Sequence, residues 1–127
     1  MVKAVQAARI AARKAIESTY DGVAVVTEYQ KVKDEVTKLV NGQAVVVLEN
    51  QPCRVSFEGL QAVNQTESAA SVTQTTKLFI SPDIVIKPGS KITVTQAGRT
   101  ADYTYSSVPA VYDTHQEIIL DLFTDWT

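Results

Sequence analysis

The chain has 127 residues, 45% of them hydrophobic and 20% charged, which is typical of one globular domain, residues 1–127. Its net charge of −2 argues against a general nucleic-acid binder, which is normally basic. The single cysteine, Cys53, excludes an intrachain disulfide and fits a reducing compartment. We see neither a signal peptide nor an apolar run long enough to span a membrane, and we therefore expect no membrane partner.

Residues 1–18 predict a helix, because they are rich in the strong helix formers Ala, Arg and Lys. The apolar residues that share one face at helical spacing are Val2, Val5, Ala8, Ala12 and Ile16. Since alanine buries little area, this helix needs a partner, either the rest of the chain or a neighbouring subunit. Asp21-Gly22 marks the break before the β-rich part, residues 21–127.

Residues 28–40 fit two structures. The spacing of their apolar side chains fits an amphipathic helix that Asn41-Gly42 would end. Tyr29 and the valines also suit two strands with a turn near Lys33-Asp34. We favour strand, turn and strand.

The next segment predicts further strands. QAVVVLEN, residues 43–50, indicates a buried strand, which Pro52 is expected to interrupt. In CRVSFEG, the alternation places Cys53, Val55 and Phe57 on one face.

Residues 61–76 form a long polar segment with one charged residue and no aromatic residue. This composition predicts a mobile loop. Loops of this length inside compact domains are usually functional or disordered.

The C-terminal third predicts a series of short strands. Pro88-Gly89 and Gly98 suit tight turns in which glycine adopts a positive φ. After Pro109, VYDTHQEIILDLF predicts one further long strand, and Trp126 is expected to pack. One helix and about seven short strands predict an α+β, mainly β fold, a small antiparallel β-barrel or sandwich with an N-terminal helix and one long polar loop.

The only histidine, His115, lies between Asp113 and Glu117 on a predicted strand, where alternate residues share a face. A zinc site would need further nitrogen or sulfur ligands, and the one thiol, Cys53, is distant in sequence. The two carboxylates could act as acid and base, but solvated strand residues that discourage edge pairing are the favoured interpretation. Because GxGxxG and P-loop patterns are also absent from the sequence, we expect no catalytic residue, no metal and no cofactor.

Charge is distributed unevenly along the chain. Residues 1–18 are basic, whereas the residues after Arg99 include no Lys or Arg but several acidic side chains. A basic head and an acidic tail can pair between neighbouring copies, or they can be two solvated faces.

Three stretches, taken in order, carry a resemblance to a known family: VVVLENQPCRVSFE, NQTESAASVTQTTKLFISPDIVIKPGSKITVTQAG and PAVYDTHQEIILDLF. They resemble the small minor capsid proteins of tailed bacteriophages and prophages from Gram-positive hosts. The resemblance extends over residues 21–126, and its most specific parts are PCRVSF, IKPGSKI and PAVYDTHQEI in combination. By layout, this family is similar to the head-completion proteins of the head–tail connector.

The resemblance implies a virion structural protein of the neck, assembled in the bacterial cytoplasm. Copies would form a ring beneath the portal or adaptor protein and next to the tail terminator. Packaged DNA would pass through the ring without sequence-specific binding. In stopper-type members a loop from each subunit projects into the channel. The matching candidates here for the channel loop are Gln61, Asn64, Gln65, Thr66, Glu67, Ser68, Ser71 and Thr73. The candidates for subunit docking are Arg9, Arg13, Lys14, Asp113, Glu117 and Asp121.

Other functions stay open at this point. A tail terminator or another neck protein lies in the same stack. A monomeric module that binds protein or sugar is the main alternative outside virion proteins. A small hydrolase that uses His115 with Asp113 or Glu117 is a third.

Overall fold

The computed structural model describes residues 2–60 and 73–126, which form one helix and seven strands. In chain order these are α1 Val2–Glu17, β1 Gly22–Lys33, β2 Val40–Leu60, β3 Thr73–Ile80, β4 Lys91–Gln96, β5 Arg99–Thr104, β6 Ala110–Val111 and β7 Gln116–Leu122. Every strand pairing is antiparallel. The predicted α+β, mainly β class and the N-terminal helix are therefore confirmed.

The strands form a single sheet that closes on itself. Their order is β3-β2-β1-β4-β5-β7-β6, and β3 also pairs with β7, so that six strands complete a ring and β6 extends the edge of β7. Closure satisfies strand edges that would otherwise be open to pairing with other chains. Within the described ranges, no helix is long and apolar enough to cross a membrane.

The core lies inside this ring, where alternate residues of each strand meet. Its buried apolar side chains are Ala24, Val26, Cys53, Val55, Leu78, Ile80, Ile86, Ile92, Val94, Tyr103, Tyr105, Ile118 and Leu120. The buried side chain of Gln116 donates hydrogen bonds to the carbonyl oxygens of Ser81 and Ile84, which ties the loop after β3 to β7. The hydroxyl of Tyr105 similarly donates to the carbonyl oxygen of Ile86.

The predicted hairpin over residues 28–40 is confirmed. β1 and β2 pair as far as Lys33 and Val40, and Asp34 begins the turn. The Asp34 carboxylate accepts hydrogen bonds from the backbone of Val36 and Thr37, which lowers the pKa of that carboxyl. The Asp34 N–H donates to the carbonyl oxygen of Leu39 at 2.8 Å. The turn is thus closed by its own hydrogen bonds.

The hairpin extends beyond the ring as an arm, which we define as residues 28–50. β4 pairs with β1 only over residues 23–27, and β3 pairs with β2 only from Cys53 to Leu60. Among the described residues, the outer edges of the arm therefore have no strand partner. At its base, Tyr29 stacks on Trp126 with 5.4 Å between ring centroids, as expected for a packed C-terminal tryptophan.

Three sequence predictions for β2, two on burial and one on the continuity of the strand, differ from the structure. QAVVVLEN lies in the arm and is not a buried strand, since Val46 and Val47 are 48% and 44% exposed. Phe57 is 54% exposed although Cys53 and Val55 on the same strand are buried. Pro52 does not interrupt β2, because it lies where the outer edge of the strand is unpaired and no ladder N–H is needed.

The predicted single strand after Pro109 is wrong. The chain instead forms β6, a turn over residues 112–115 and then β7, with the Tyr112 N–H donating to the carbonyl oxygen of His115 at 2.8 Å. The predicted glycine turns are confirmed, with φ of 85° at Gly89 and 75° at Gly98.

The predicted long loop is only partly described. Residues 73–76 belong to β3, so the loop prediction was wrong over these four positions because they pair with β2. The remainder of the predicted loop, residues 61–72, lies outside the described residues. The last described pair of this ladder joins Leu60 to Thr73, so these residues connect two paired strand ends.

Candidate functional site

The helix α1 is attached to the ring through Arg13. Its guanidinium donates to the Glu17 carboxylate at 3.0 Å, to the Ser81 hydroxyl at 2.8 Å and to the Asp83 carboxylate at 2.8 Å. The hydrogen bonds to Asp83 and then Glu17 raise the pKa of Arg13. Arg13, a predicted subunit-docking residue, is therefore used within its own chain.

A second ion pair joins the helix to the turn before β7. The Arg9 guanidinium lies 3.2 Å from the Asp113 carboxylate, and both side chains are mostly exposed. Within the described residues, the basic head and the acidic tail thus meet once inside the chain, which differs from the two predicted arrangements, pairing between copies and two solvated faces. Docking of these charges between copies stays a prediction.

The remaining docking candidates are placed differently. Lys14 is exposed, and among the described residues no acidic side chain pairs with it. Glu117 pairs with Lys77 at 3.7 Å and with His115. Asp121 is exposed on β7. Lys14 and Asp121 are therefore the candidates whose charges stay available to another molecule.

The structure brings only part of the histidine trio together. His115 Nε2 lies 2.9 Å from the Glu117 carboxylate and Nδ1 lies 2.9 Å from the Thr114 hydroxyl. Its ring also stacks on Tyr112, with centroids 5.0 Å apart. Asp113 pairs with Arg9 instead, because the turn breaks the alternation that a continuous strand would impose.

Cys53 is fully buried in the ring, and burial raises the pKa of its thiol from 9.0 to about 12. A thiol in this state is a poor nucleophile near neutral pH. No group of three or more His, Cys, Asp or Glu side chains that could hold a metal ion occurs in residues 2–60 and 73–126.

The candidate channel-loop residues are not tested by the structure. Thr73 is the first residue of β3 and pairs with Leu60. The others, namely Gln61, Asn64, Gln65, Thr66, Glu67, Ser68 and Ser71, lie outside the described residues.

A groove between α1 and the outer surface of β2 and β3 was not anticipated from the sequence. Its cavity of about 550 Å³ is mostly apolar and is lined by Ala15, Ile16, Thr19, Tyr20, Arg54, Ser56, Phe79 and His115. We call it the helix–sheet groove. The Tyr20 hydroxyl is buried and has no hydrogen-bond partner among the described residues, and burial raises its pKa. The sequence feature that could have indicated the groove is the alternation of inward-facing and outward-facing residues along β2 and β3. This alternation places Arg54 and Phe79 on the outer face.

The arm presents apolar side chains to solvent. Val36 and Leu39 in its turn are 90% and 61% exposed, and Val32 and Val40 beside the turn are also exposed. Exposed apolar residues grouped at one place often mark an interaction surface. The helix–sheet groove and the arm are therefore the candidate functional surfaces of this chain.

Comparison with known proteins gives little further identification. No protein-family model and no curated protein matches the chain. The solved structure of the phage-like element PBSX protein xkdH from Bacillus subtilis is similar, with a TM-score of 0.45 and 8% sequence identity. The similarity covers 79% of this chain and 91% of that chain. A likeness at this TM-score leaves the function of the chain open.

Proposed function

We propose that the chain is a structural subunit of a tailed-phage or prophage particle, acting in the head–tail connector as a head-completion protein of the stopper type. Its copies form a ring under the portal or adaptor protein and help to retain packaged DNA. The proposal starts from the sequence resemblance to minor capsid proteins. The fold agrees with the layout of that family, a mainly β ring with an N-terminal helix.

The arm is the observation that carries the proposal. A two-stranded hairpin is at best marginally stable alone in water, yet here it holds an ordered turn and exposes Val36 and Leu39. Such a surface is expected of a subunit whose neighbours cover it. In a closed ring each interface joins two different surfaces, so the arm needs no symmetric counterpart.

The connection between β2 and β3 has a place in this proposal. Leu60 and Thr73 are paired, so the two ends between which residues 61–72 are inserted lie side by side in the ladder. In the stopper assignment this polar segment lines the channel.

Deleting residues 64–72 is expected to leave a folded ring of strands but to produce heads that lose their DNA. Circular dichroism checks the fold, and nuclease sensitivity of the head DNA checks retention. A deletion mutant whose heads keep their DNA removes this segment from the mechanism.

Electron microscopy of particles made without this gene tests the function directly. Heads that have lost their DNA, beside separate tails, are expected. Restoring the gene from a plasmid should restore joined particles, which controls for effects on neighbouring genes. Full heads with free, overlong tails would point instead to a tail terminator. Normal infectious particles would reject a connector role.

A further inference from the structure

The arm leaves the ring at an irregular part of the β1–β2 ladder. The register shifts between Ala24 and Val26 and again between Val26 and Thr27, and each shift places an extra residue on β2. Asn50, in the same part of β2, has a φ of 54°. Bulges of this kind interrupt the ladder and bend the strand that carries them. Leu48, which pairs with Val26, still packs against the core. The base of the arm is therefore suited to bend as a hinge.

An aromatic contact bridges this hinge. The Trp126 ring stacks on Tyr29 of the arm and meets Phe123 edge-on, with 4.9 Å between the centroids of Trp126 and Phe123. Phe123 is attached to the ring of strands, since its N–H donates to the carbonyl oxygen of Asp102 at 3.1 Å. Residues 123–126, which belong to no helix or strand, thus run from the end of β7 to the arm. We call them the C-terminal strap.

The Tyr29 side chain connects the strap to both strands of the arm. Tyr29 belongs to β1, and its ring lies against Gly42 of β2, where a Cβ would overlap the ring. Among the described residues, the only ion pair between the arm and the rest of the chain joins Glu28 to Lys87, at 3.8 Å and with the Lys87 side chain 75% exposed. An exposed pair of this kind contributes little to stability. The stack of Trp126 on Tyr29 is therefore the main side-chain contact outward of the hinge.

The strap has open space beside it. A cavity of about 320 Å³ is lined by Trp126, and another of about 410 Å³ is lined by Thr124. The turn Pro88-Gly89 lines both cavities. The hydroxyl of Thr104, in the lining of the second cavity, is buried and has no hydrogen-bond partner in the described parts of the chain. Close-packed interiors resist movement, so a segment flanked by cavities moves more readily than one in the core.

We propose that the C-terminal strap is a releasable latch that sets the direction of the arm. With Trp126 on Tyr29, the arm has one direction relative to the ring. With Trp126 withdrawn, the arm pivots at the hinge as a unit, because the hydrogen bonds of its own ladder and turn are unaffected. The strap therefore restricts where the exposed Val36 and Leu39 of the arm turn can meet another molecule. This inference rests on the fold and goes beyond the proposed connector role.

Pulsed electron paramagnetic resonance between two spin labels tests the latch in the full chain. Val36→Cys places one label on the arm turn and Val85→Cys places the other in the loop after β3, at positions that are 90% and 88% exposed. Cys53 is buried and is not labelled. One narrow distance distribution is expected with the strap intact. Trp126→Ala should lower the ratio of the native distance to other distances by roughly tenfold, because an aromatic stack and the apolar area of Trp126 are lost.

Two variants serve as matched controls. Tyr112→Ala removes an aromatic side chain that is as exposed as Tyr29 and is also stacked, but on His115, and it should leave the distances unchanged. Trp126→Phe keeps an aromatic ring against Tyr29 and should retain most of the native distribution. Circular dichroism checks that each variant keeps the folded ring.

Gly42→Ala tests the latch from the arm and covers a failure of Trp126→Ala to fold. The added methyl group would displace the Tyr29 ring and with it Trp126. The emission of the single tryptophan should therefore shift to longer wavelength, and the label distances should broaden as they do in Trp126→Ala.

The outcomes separate the latch from the connector role. Native distances in both Trp126→Ala and Gly42→Ala overturn the latch, whether or not particles without the gene lose their DNA. A distribution that is already broad with the strap intact also overturns it, since the strap then fixes no direction. If the distances broaden as expected but particles without the gene are normal, the latch stands and the connector role is rejected.

Discussion

A single glutamine side chain completes the sheet where a strand ends. Gln96 accepts a hydrogen bond from the Val55 N–H at 2.8 Å and donates one to the Val55 carbonyl oxygen at 3.0 Å. β1 begins only at Gly22, opposite Cys53, so the Gln96 amide replaces the next backbone partner of β2. A Cβ at Gly22 would lie 2.8 Å from the Gln96 Oε1 and 3.1 Å from the Cys53 carbonyl oxygen, so a larger residue at position 22 would displace the Gln96 amide. The amide group extends the ladder by one step.

Gln96→Ala is expected to lower the free energy of unfolding by about 1–3 kcal/mol, because it leaves polar backbone groups of the buried Val55 unpaired. Urea unfolding followed by the fluorescence of the single tryptophan, Trp126, measures this. Thr95→Ala is the control, since among the described residues its exposed hydroxyl bonds only to Thr100, and its loss should cost less than about 0.5 kcal/mol. Equal losses in the two variants would contradict the role of Gln96.

Cys53 makes the ring sensitive to alkaline pH. The pKa of its thiol is raised by burial from 9.0 to about 12, so the folded state favours the protonated form. The protonated thiol's contribution to the free energy of unfolding is fully present below about pH 9 and is lost as the pH rises from there through 12. Within that range the loss is about 1.4 kcal/mol per pH unit. Between pH 9 and pH 10, the free energy of unfolding of the native chain should therefore fall more steeply than that of Cys53→Ala. Parallel falls would contradict ionisation of Cys53 as the cause.

At the scale of elements, the sequence patterns predicted secondary structure more accurately than they predicted which residues are buried. The hairpin over residues 28–40 and the turns at Gly89 and Gly98 follow from β-branched residues and from glycine, which act locally. Val46 and Val47 belong to the predicted strand but remain exposed, because burial depends on a second layer that the arm lacks. Local composition does not say where a closed sheet ends.

Local sequence patterns also failed to indicate the candidate site. The helix–sheet groove combines residues of α1, β2 and β3 that are far apart in sequence, so no short motif indicated it. The histidine trio was suggested by spacing alone, and one turn hydrogen bond at Tyr112 separated Asp113 from the other two. Lys14 and Asp121 are exposed, which is compatible both with the predicted docking and with solvated faces, so their docking stays a prediction.

The helix α1 depends on Arg13 for its position. Most of its residues before Arg13 are exposed, and a helix of this length with a thin apolar face is marginal alone. Arg13→Ala should speed hydrogen exchange of the α1 amides because three hydrogen bonds are lost. Lys14→Ala, one residue along and without an ion pair in the described ranges, should leave exchange unchanged. Equal exchange in both variants would show that other contacts hold the helix.

At the scale of the whole molecule, the basic helix has two kinds of charge. Arg9 and Arg13 pair with Asp113 and Asp83 of the same chain. Lys3 and Lys14 are exposed and have no ion pair in the part of the chain that the structure describes. Reversing all basic residues of α1 would therefore detach the helix as well as change its surface. Only substitutions at Lys3 and Lys14 can therefore separate an effect on docking between molecules from an effect on the folding of one molecule.

The double change Lys3→Glu and Lys14→Glu is expected to weaken incorporation into particles while hydrogen exchange of α1 stays at the native rate. One exposed ion pair contributes less than about 1 kcal/mol, but a ring repeats the pair at every interface, so the losses accumulate. The defect should be largest at low salt, where the repulsion between the introduced glutamates and an acidic partner surface is least screened, and should shrink at high salt. Arg99→Glu, at the exposed start of β5, changes the net charge by the same amount as Lys14→Glu alone and is the matched control for that single variant. Quantitative immunoblotting of purified particles measures incorporation. Native incorporation of the double variant would mean that this face of the helix is only solvated, and that the ring is held by its apolar surfaces.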